Sequence, residues 1–423
     1  MKKLSVILGG LFMASVAQAG GYQLNDYSVT GLGRSYAGQG IMGDDYSAIA
    51  FNPAGMTLMK RSGIQTGLSF VNLNADVESI DSRYANQHKK MDFWVPIPQF
   101  FAQYNLNDKW SLGMGVYAPF GLKTDYDADW FASDTAVLSK LDIMDFNISA
   151  AYKINKHWSV GVSGIMRYIY GKMTNSIPMS VGTKVVGGGE SDFDVHAWSQ
   201  TASFGLMYEH NENTRFGLSY RLRSAQRAKG DFYVSGNLAH TVPGSGYPNL
   251  NGKSDVWANP DLPETITLSG YHRYKKVGFS GTARWTHWTS SFPDFTVYSD
   301  APLIKAGYGG AKVSHYDYDN TWTLTAGLDY YYCKNLTFRF GAGWDESPTH
   351  SDNKRTIRIP DNDRWWTSIG ASYMKNNWQL DIGYAHMFGK TGKALEASDP
   401  ESVKVKYKNM QSHILGIQYQ YKF

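Results

Sequence analysis

From Ser62 onward the chain alternates apolar residues with small or polar ones in runs of about ten, the length a tilted strand needs to cross a bilayer. Trp322, Leu324, Ala326, Leu328, Tyr330 and Tyr332 alternate with Thr321, Thr323, Thr325, Gly327 and Asp329. Trp378, Leu380, Ile382 and Tyr384 alternate with Gln379, Asp381 and Gly383 in the same way. Successive side chains of a strand point to opposite faces, so each run predicts one apolar face and one polar face. Fourteen such strands are predicted, starting near Gly63, Ile97, Trp110, Ile143, His157, Ala197, Arg215, Glu264, Val277, Asn320, Leu336, Arg364, Asn377 and Gln411. The breaks between them alternate in length. Asn105-Leu106-Asn107-Asp108, Asn155-Lys156, Asn211-Glu212-Asn213, Cys333-Lys334-Asn335 and Lys375-Asn376-Asn377 are short and rich in turn formers. The breaks at about 122–139, 176–193, 237–262, 290–318, 346–362 and 390–409 are long. An even number of strands with tight turns on one side and long loops on the other is the rhythm of an outer-membrane barrel, whose short turns face the periplasm.

The two ends depart from this rhythm. Met1-Lys2-Lys3, an apolar stretch from Leu4 to Val16 and Ala17-Gln18-Ala19 predict a signal peptide over residues 1–19, with the mature chain starting at Gly20. No later run approaches the ~18 uninterrupted apolar residues of a spanning helix, which excludes a helical membrane protein. The final strand places Tyr419, Tyr421 and Phe423 on one face, similar to the terminal aromatic signal by which outer-membrane barrels are assembled. Residues 20–61 show neither strand alternation nor a sustained helical period. A segment of that length is either disordered or packed somewhere, and a wide barrel offers a lumen that could hold it as a plug. The predicted division is signal peptide 1–19, hatch 20–61 and barrel 62–423, in the outer membrane of a Gram-negative cell.

Composition agrees with a barrel. Aromatic residues make up 15% of the chain and there are 43 Gly, yet the overall hydropathy is hydrophilic. A lipid-facing apolar band with aromatic girdles around a polar interior needs that mixture. A formal net charge of +4 with no Lys/Arg run longer than two gives no reason to expect a nucleic acid. It suits a polar lumen or an anionic lipopolysaccharide surface equally. Cys333 is alone, so no internal disulfide is possible, and its Tyr-rich surroundings place it on lipid or in a turn. Gly38-Gln39-Gly40-Ile41-Met42-Gly43 fits the dinucleotide pattern, but no strand precedes it and no βαβ unit surrounds it. The 11 His are scattered without ligand spacing, and no nucleophile elbow is present, so no metal, cofactor or enzymatic activity is expected.

The block from Gly20 through Thr57 resembles the FadL family of long-chain fatty acid transporters, which includes outer membrane protein P1 and aromatic-hydrocarbon transporters. Gly31-Leu32-Gly33-Arg34, Asp44-Asp45 and Asn52-Pro53-Ala54 carry the likeness. It continues through Tyr117-Ala118-Pro119-Phe120-Gly121, Leu262-Pro263-Glu264, Leu336 to Gly341, Asp345-Glu346-Ser347-Pro348 and Ile359 to Arg364. The resemblance implies an all-β fold, a monomeric fourteen-stranded antiparallel transmembrane barrel closed by an amino-terminal hatch. It also implies a route: capture of a long-chain fatty acid or other hydrophobic small molecule at the external loops, passage to an internal pocket, hatch rearrangement at Gly21 and Tyr22, and sideways release into outer-membrane lipid past a kinked third strand. Here that strand is Trp110 to Gly121, where Gly113, Gly115, Pro119, Phe120 and Gly121 would form the opening; the other reading of the glycines is ordinary small lumen-facing residues.

A fatty acid needs an apolar tunnel and a cation for its carboxylate. By strand parity Arg167, Arg221, Arg223, Arg284 and Arg339 face inward, and Arg167, before a long loop, is the carboxylate candidate. The competing reading is that such arginines tie the hatch to the wall, with Asp44 and Asp45 facing Arg221 and Arg339. Asn52-Pro53-Ala54 predicts a rigid turn, since Pro fixes φ and the Asn side chain bonds neighbouring backbone, and the resemblance implies that it belongs to the hatch and matters for its gating. An aromatic-hydrocarbon channel, a general porin and a surface adhesin are the alternative functions.

Overall fold

A computed structural model of the chain describes residues 21–181, 184–236, 251–291, 294–397, 399 and 402–423. The predicted signal peptide lies outside them. Nineteen strands are present among these residues, β1 to β19 in chain order. Fourteen form a closed antiparallel ring: β1 (Gly63–Ser79), β2 (His88–Asn105), β3 (Trp110–Asp125), β4 (Leu138–Lys153), β5 (Trp158–Val181), β6 (Lys184–Asn211), β7 (Thr214–Arg221), β10 (Glu264–Tyr274), β11 (Val277–His287), β14 (Thr321–Tyr331), β15 (Leu336–Asp345), β16 (Arg364–Lys375), β17 (Trp378–Gly389) and β19 (Val405–Lys422). The ring closes where β1 pairs with β19, from Gly63↔Lys422 upward. Closure pairs each of the fourteen strands on both sides over most of its length, since an unsatisfied backbone group in lipid costs several kcal/mol; the exception lies between β2 and β3.

All fourteen predicted strands are these fourteen, because the period-2 signal spans the bilayer in each. Their outer ends reach further than predicted: β2 begins at His88 rather than near Ile97, and β6 at Lys184 rather than near Ala197. Several long breaks are also not loops throughout. β8 (Ala228–Gly236), β9 (Gly252–Ala258), β12 (Asp294–Ser299), β13 (Ala311–His315) and β18 (Gly392–Ala394) lie in or beside them and continue the wall outward, and a short helix, Pro302–Tyr308, covers part of it. In β8 the buried Ala228, Phe232 and Val234 alternate with Lys229, Asp231 and Tyr233. Above the membrane the outward partners are charged rather than apolar, so the alternation loses its contrast.

Outward residues such as Phe70, Ile148, Leu268, Leu324 and Ile382 are exposed, while inward Gln65, Ser69, Asn147, Ser163 and Gln418 are buried. They are buried by residues 21–59. This segment holds α1 (Val29–Leu32), α2 (Ala48–Phe51) and the 3₁₀ turn Pro53–Leu58, none long enough to be stable alone. It is held by bonds to strands around the ring. Gln418 accepts from the Val29 amide at 2.9 Å, Thr282 from the Gly38 amide at 2.9 Å, and Asn147 donates to the Ile49 carbonyl at 3.1 Å. Among the described residues no helix is long and apolar enough to cross a membrane.

Candidate ligand pocket and gate

The upper inward faces of β3 to β6 carry Leu122, Leu141, Ile169, Met173, Phe193 and Val195, which wall a space of about 650 Å³, part of it open to solvent. Phe295 and Tyr316 from the external segments complete the wall, Tyr22 of the amino-terminal segment lies at its edge, and Arg358 reaches in from the connection between β15 and β16. Arg358 donates to the Thr135 carbonyl at 2.6 Å and to Ser139 Oγ at 3.1 Å. No carboxylate pairs with it among the described residues. Burial pulls its pKa below the ordinary value, with Tyr316 and Glu396 acting the other way, and a guanidinium still keeps its proton at neutral pH.

Beside this space the barrel wall changes. β2 pairs with β3 from Asn105↔Ser111 only as far as Phe100↔Val116, although it pairs with β1 all the way to His88. β3 then bulges. Tyr117 faces Asp145 but Phe120 faces Ile143, so β3 holds one more residue than β4 at Ala118-Pro119. A bulge bends its strand and raises the local twist, and Pro119 has no amide to offer a neighbour. The orphaned edge is taken by the amino-terminal segment. Gln23 bridges Phe120, the Leu24 amide donates to the Pro119 carbonyl at 2.8 Å, and the Gly121 amide donates to the Tyr22 carbonyl at 2.8 Å. The Tyr22 ring lies 5.9 Å from Phe120 and 5.0 Å from the buried Trp288. One stretch, Tyr22 to Leu24, therefore closes the gap in the wall and borders the pocket. Its end is tethered by the Gly21 amide, which donates to Asp361 at 3.0 Å.

Below the pocket lie two layers of charge. Asp145 takes Arg167 in a bidentate pair at 2.6 and 2.9 Å and also accepts from Arg221 at 2.9 Å. Arg221 further donates to the Ala50 carbonyl at 3.0 Å and the Tyr117 hydroxyl at 2.8 Å. Two guanidiniums thus share one buried carboxylate, an excess of positive charge. The lower layer joins segment to wall. Arg34 pairs with Asp44 at 2.7 Å and Asp329 at 3.1 Å, and Arg339 with the same two carboxylates at 3.1 and 3.0 Å. Asp45 stays within the segment, accepting from Ser28 and Ser47.

Asn52-Pro53-Ala54 is fitted closely to the opposite wall. Asn52 Oδ1 accepts from the Ala54 amide at 3.1 Å, capping the 3₁₀ turn, while Nδ2 donates to the Leu206 and Leu218 carbonyls at 3.3 Å each. Gly161, Gly205 and Gly217 face it, and a side chain on Gly161 would overlap the Pro53 and Ala54 backbone. Gly113 and Gly115 serve similarly rather than as a hinge: both are regularly paired to β2 and β4, and their missing side chains make room for Ile49 with Met56 and for Phe101.

A family described as outer membrane protein transport protein (OMPP1/FadL/TodX) matches residues 10–423. The chain belongs to this family. Among FadL-family relatives, the long-chain fatty acid transport protein of Escherichia coli K12 is 26% identical over 93% of each chain. Outer membrane protein P1 of Haemophilus influenzae is 28% identical over 90% of this chain and 88% of its own. A Pseudomonas aeruginosa FadL homologue superposes with a TM-score of 0.84 at 21% identity, covering 95% of this chain and all of that one. The Pseudomonas putida toluene transporter TodX gives 0.70 at 17% identity, covering 90% of this chain and 94% of its own. The chain is therefore an outer-membrane transport barrel and not an enzyme.

Measured against the FadL-family expectations from sequence, Gly21, Tyr22, Pro119, Phe120 and Gly121 come together at one place. Asp44 meets Arg339, as the wall reading of those charges supposed. Arg221 instead meets Asp145, and Asp45 meets no wall arginine among the described residues. Arg223 is not inward: it lies beyond the end of β7, half-exposed, and pairs with Asp261 at 2.6 Å. Cys333 is exposed in the turn between β14 and β15. Sequence reasoning passed over Arg358, Asp145 and Trp288. The pattern did hold one sign of Arg358, a lone cation between Ile357 and Ile359 just ahead of the Pro360-Asp361 stretch.

Proposed function

We propose that this chain moves long-chain fatty acids from the external loops into the outer membrane through its own wall, with residues 20–61 as a hatch. The observation that carries this is Arg358, a half-buried cation with no carboxylate partner among the described residues, set at an apolar pocket. An acyl chain fits the walls and its carboxylate supplies the missing anion. Arg167, the carboxylate candidate from sequence, stands below with Phe120 5.5 Å from its guanidinium. Its charge is shared with Asp145, so it suits a second station, reached after Phe120 and Tyr22 move. Withdrawal of Tyr22 to Leu24 would unseal the pocket and the gap beside β3 together, which makes release sideways. The protein acts as a monomer, in contact with membrane lipid and lipopolysaccharide.

The fold likeness to TodX favours a second reading, an aromatic-hydrocarbon channel, for which Phe193, Phe295 and Tyr316 offer a lining. Arg358→Ala separates the two. Loss of a charged hydrogen bond worth about 1.5–3 kcal/mol should cut oleate uptake about ten- to hundredfold in a deletion strain restored with the variant, and leave toluene uptake unchanged. Unchanged oleate uptake would refute the fatty-acid reading.

A further inference from the structure

Where the barrel meets the periplasm its exposed charges are almost all of one sign. Five of the six short turns, or the residues beside them, supply Lys109, Lys156, Lys275 with Lys276, Lys334 and Lys375, all exposed. Exposed Lys60 and Arg61 add to them where the amino-terminal segment enters β1, and exposed Arg273 stands one residue before the end of β10. Against these, Asp108 and Glu212 are the exposed side-chain carboxylates of the described turns.

None of these cations takes part in an ion pair among the described residues. Those with recorded partners meet neutral groups: Arg61 donates to Asn377 and to the Lys422 carbonyl, Lys276 to the Tyr332 carbonyl at 3.2 Å, and Arg273 stacks over Tyr331 at 3.9 Å. The opposite end of the barrel differs. There Lys90, Lys123, Lys253 and Lys408 pair with Asp92, Asp125, Asp231 and Glu78 at 2.6 to 3.2 Å. Many exposed cations of the outer end thus stand in ion pairs with carboxylates, whereas those of the inner turns do not.

The cations also lie at a particular depth. Immediately above the turns, the lipid face carries Tyr104, Trp110, Trp158, Tyr274, Tyr330 and Tyr373, all exposed. Aromatic belts mark the level where hydrocarbon gives way to head groups, so the cations next to this belt are at head-group phosphate depth. They recur around the circumference rather than gathering on one side, which matches a surrounding membrane plane and not a single docked protein.

We propose that this ring binds the phosphates of anionic phospholipids in the inner leaflet, giving the barrel a shell enriched in phosphatidylglycerol. Ammonium groups at a bilayer surface gain from anionic lipid and lose that gain as salt screens them. The test uses the full chain in detergent, mixed with equimolar phosphatidylglycerol and phosphatidylethanolamine, with the lipid retained after gel filtration measured by mass spectrometry. Wild type should retain phosphatidylglycerol in about fivefold preference at low salt, declining as salt rises. A variant with Lys→Gln at 109, 156, 275, 276, 334 and 375 should retain the two lipids about equally. Lys→Gln at 90, 253 and 408 should leave the preference as in wild type, and slower gel migration on heating reports that each barrel is folded. A wild-type ratio near one, equal ratios in wild type and the six-site variant, or capture of an acidic periplasmic protein without lipid preference would each overturn the proposal.

Discussion

The two ends of the amino-terminal segment are held in different ways. At Asn52 to Ala54 the backbone sits directly on wall glycines, capped and bonded to two strands, with no room for even a methyl group at Gly161 or Gly205. At Gly21 to Leu24 the same chain is held by three backbone amide bonds, to Asp361 and the bulged edge of β3, and by side-chain packing of the Tyr22 ring on Phe120 and Trp288. Close packing against backbone resists any small shift, whereas a short strand added to an edge can leave by breaking a few bonds of about 1 kcal/mol each. The difference teaches where movement is cheap: a fixed anchor and a detachable tip, with the tip at the pocket and at the gap. The charge network of Arg34, Asp44, Asp329 and Arg339 belongs to the anchored part.

Substitutions at the two ends should separate anchor from tip. The largest effect is expected from Gly161→Val, which drives a side chain into the Pro53-Ala54 backbone and should cost about 1–3 kcal/mol by overpacking. The segment should lose its seat, so single-channel conductance in planar bilayers should rise well above that of wild type while the barrel stays heat-modifiable on gels. Asn52→Ala comes next. It removes a cap and two wall bonds and should lower stability by about 1–2 kcal/mol in urea titrations. Smallest in stability is Gln23→Ala at the tip, which loses one bond from Thr286 and should cost under about 1 kcal/mol. If Gln23→Ala destabilised the protein as much as Asn52→Ala, the contrast between the ends would be lost.

The barrel was readable because a strand in a bilayer has lipid on one face and polar lumen on the other, and runs such as Thr321 to Tyr332 record both faces. β8 and β9 were not readable, since Lys229, Asp231, Lys253 and Asp255 face water and their alternation resembles loop composition. Length and resemblance lead to the expectation that residues 20–61 pack in the lumen; the path that residues 21–59 take there is not legible in the sequence. The path depends on which inward glycines form notches, and nothing local distinguishes Gly161, against Pro53, from Gly171 on the same face, which has only the Val195 and Leu141 side chains near it. Arg167 was chosen by parity, and it does face inward. What parity could not reveal was Asp145 directly across the ladder from it, or a second arginine on the same carboxylate. Arg358 lies between strands, where no period applies, so only three-dimensional placement brings it to the pocket.

The proposed route requires Tyr22 to Leu24 to leave β3 before transport occurs. Gln23 and Phe120 face each other as a non-hydrogen-bonded antiparallel pair, because the flanking residues make the bonds, and such pairs bring β-carbons close enough for a disulfide. The direct measurement is oleate uptake by cells carrying Gln23→Cys with Phe120→Cys in a Cys333→Ser background, oxidised and then reduced, beside each single variant. Uptake should be abolished by oxidation and restored by reduction in the double variant only. Undiminished uptake with the disulfide demonstrably closed would contradict the account.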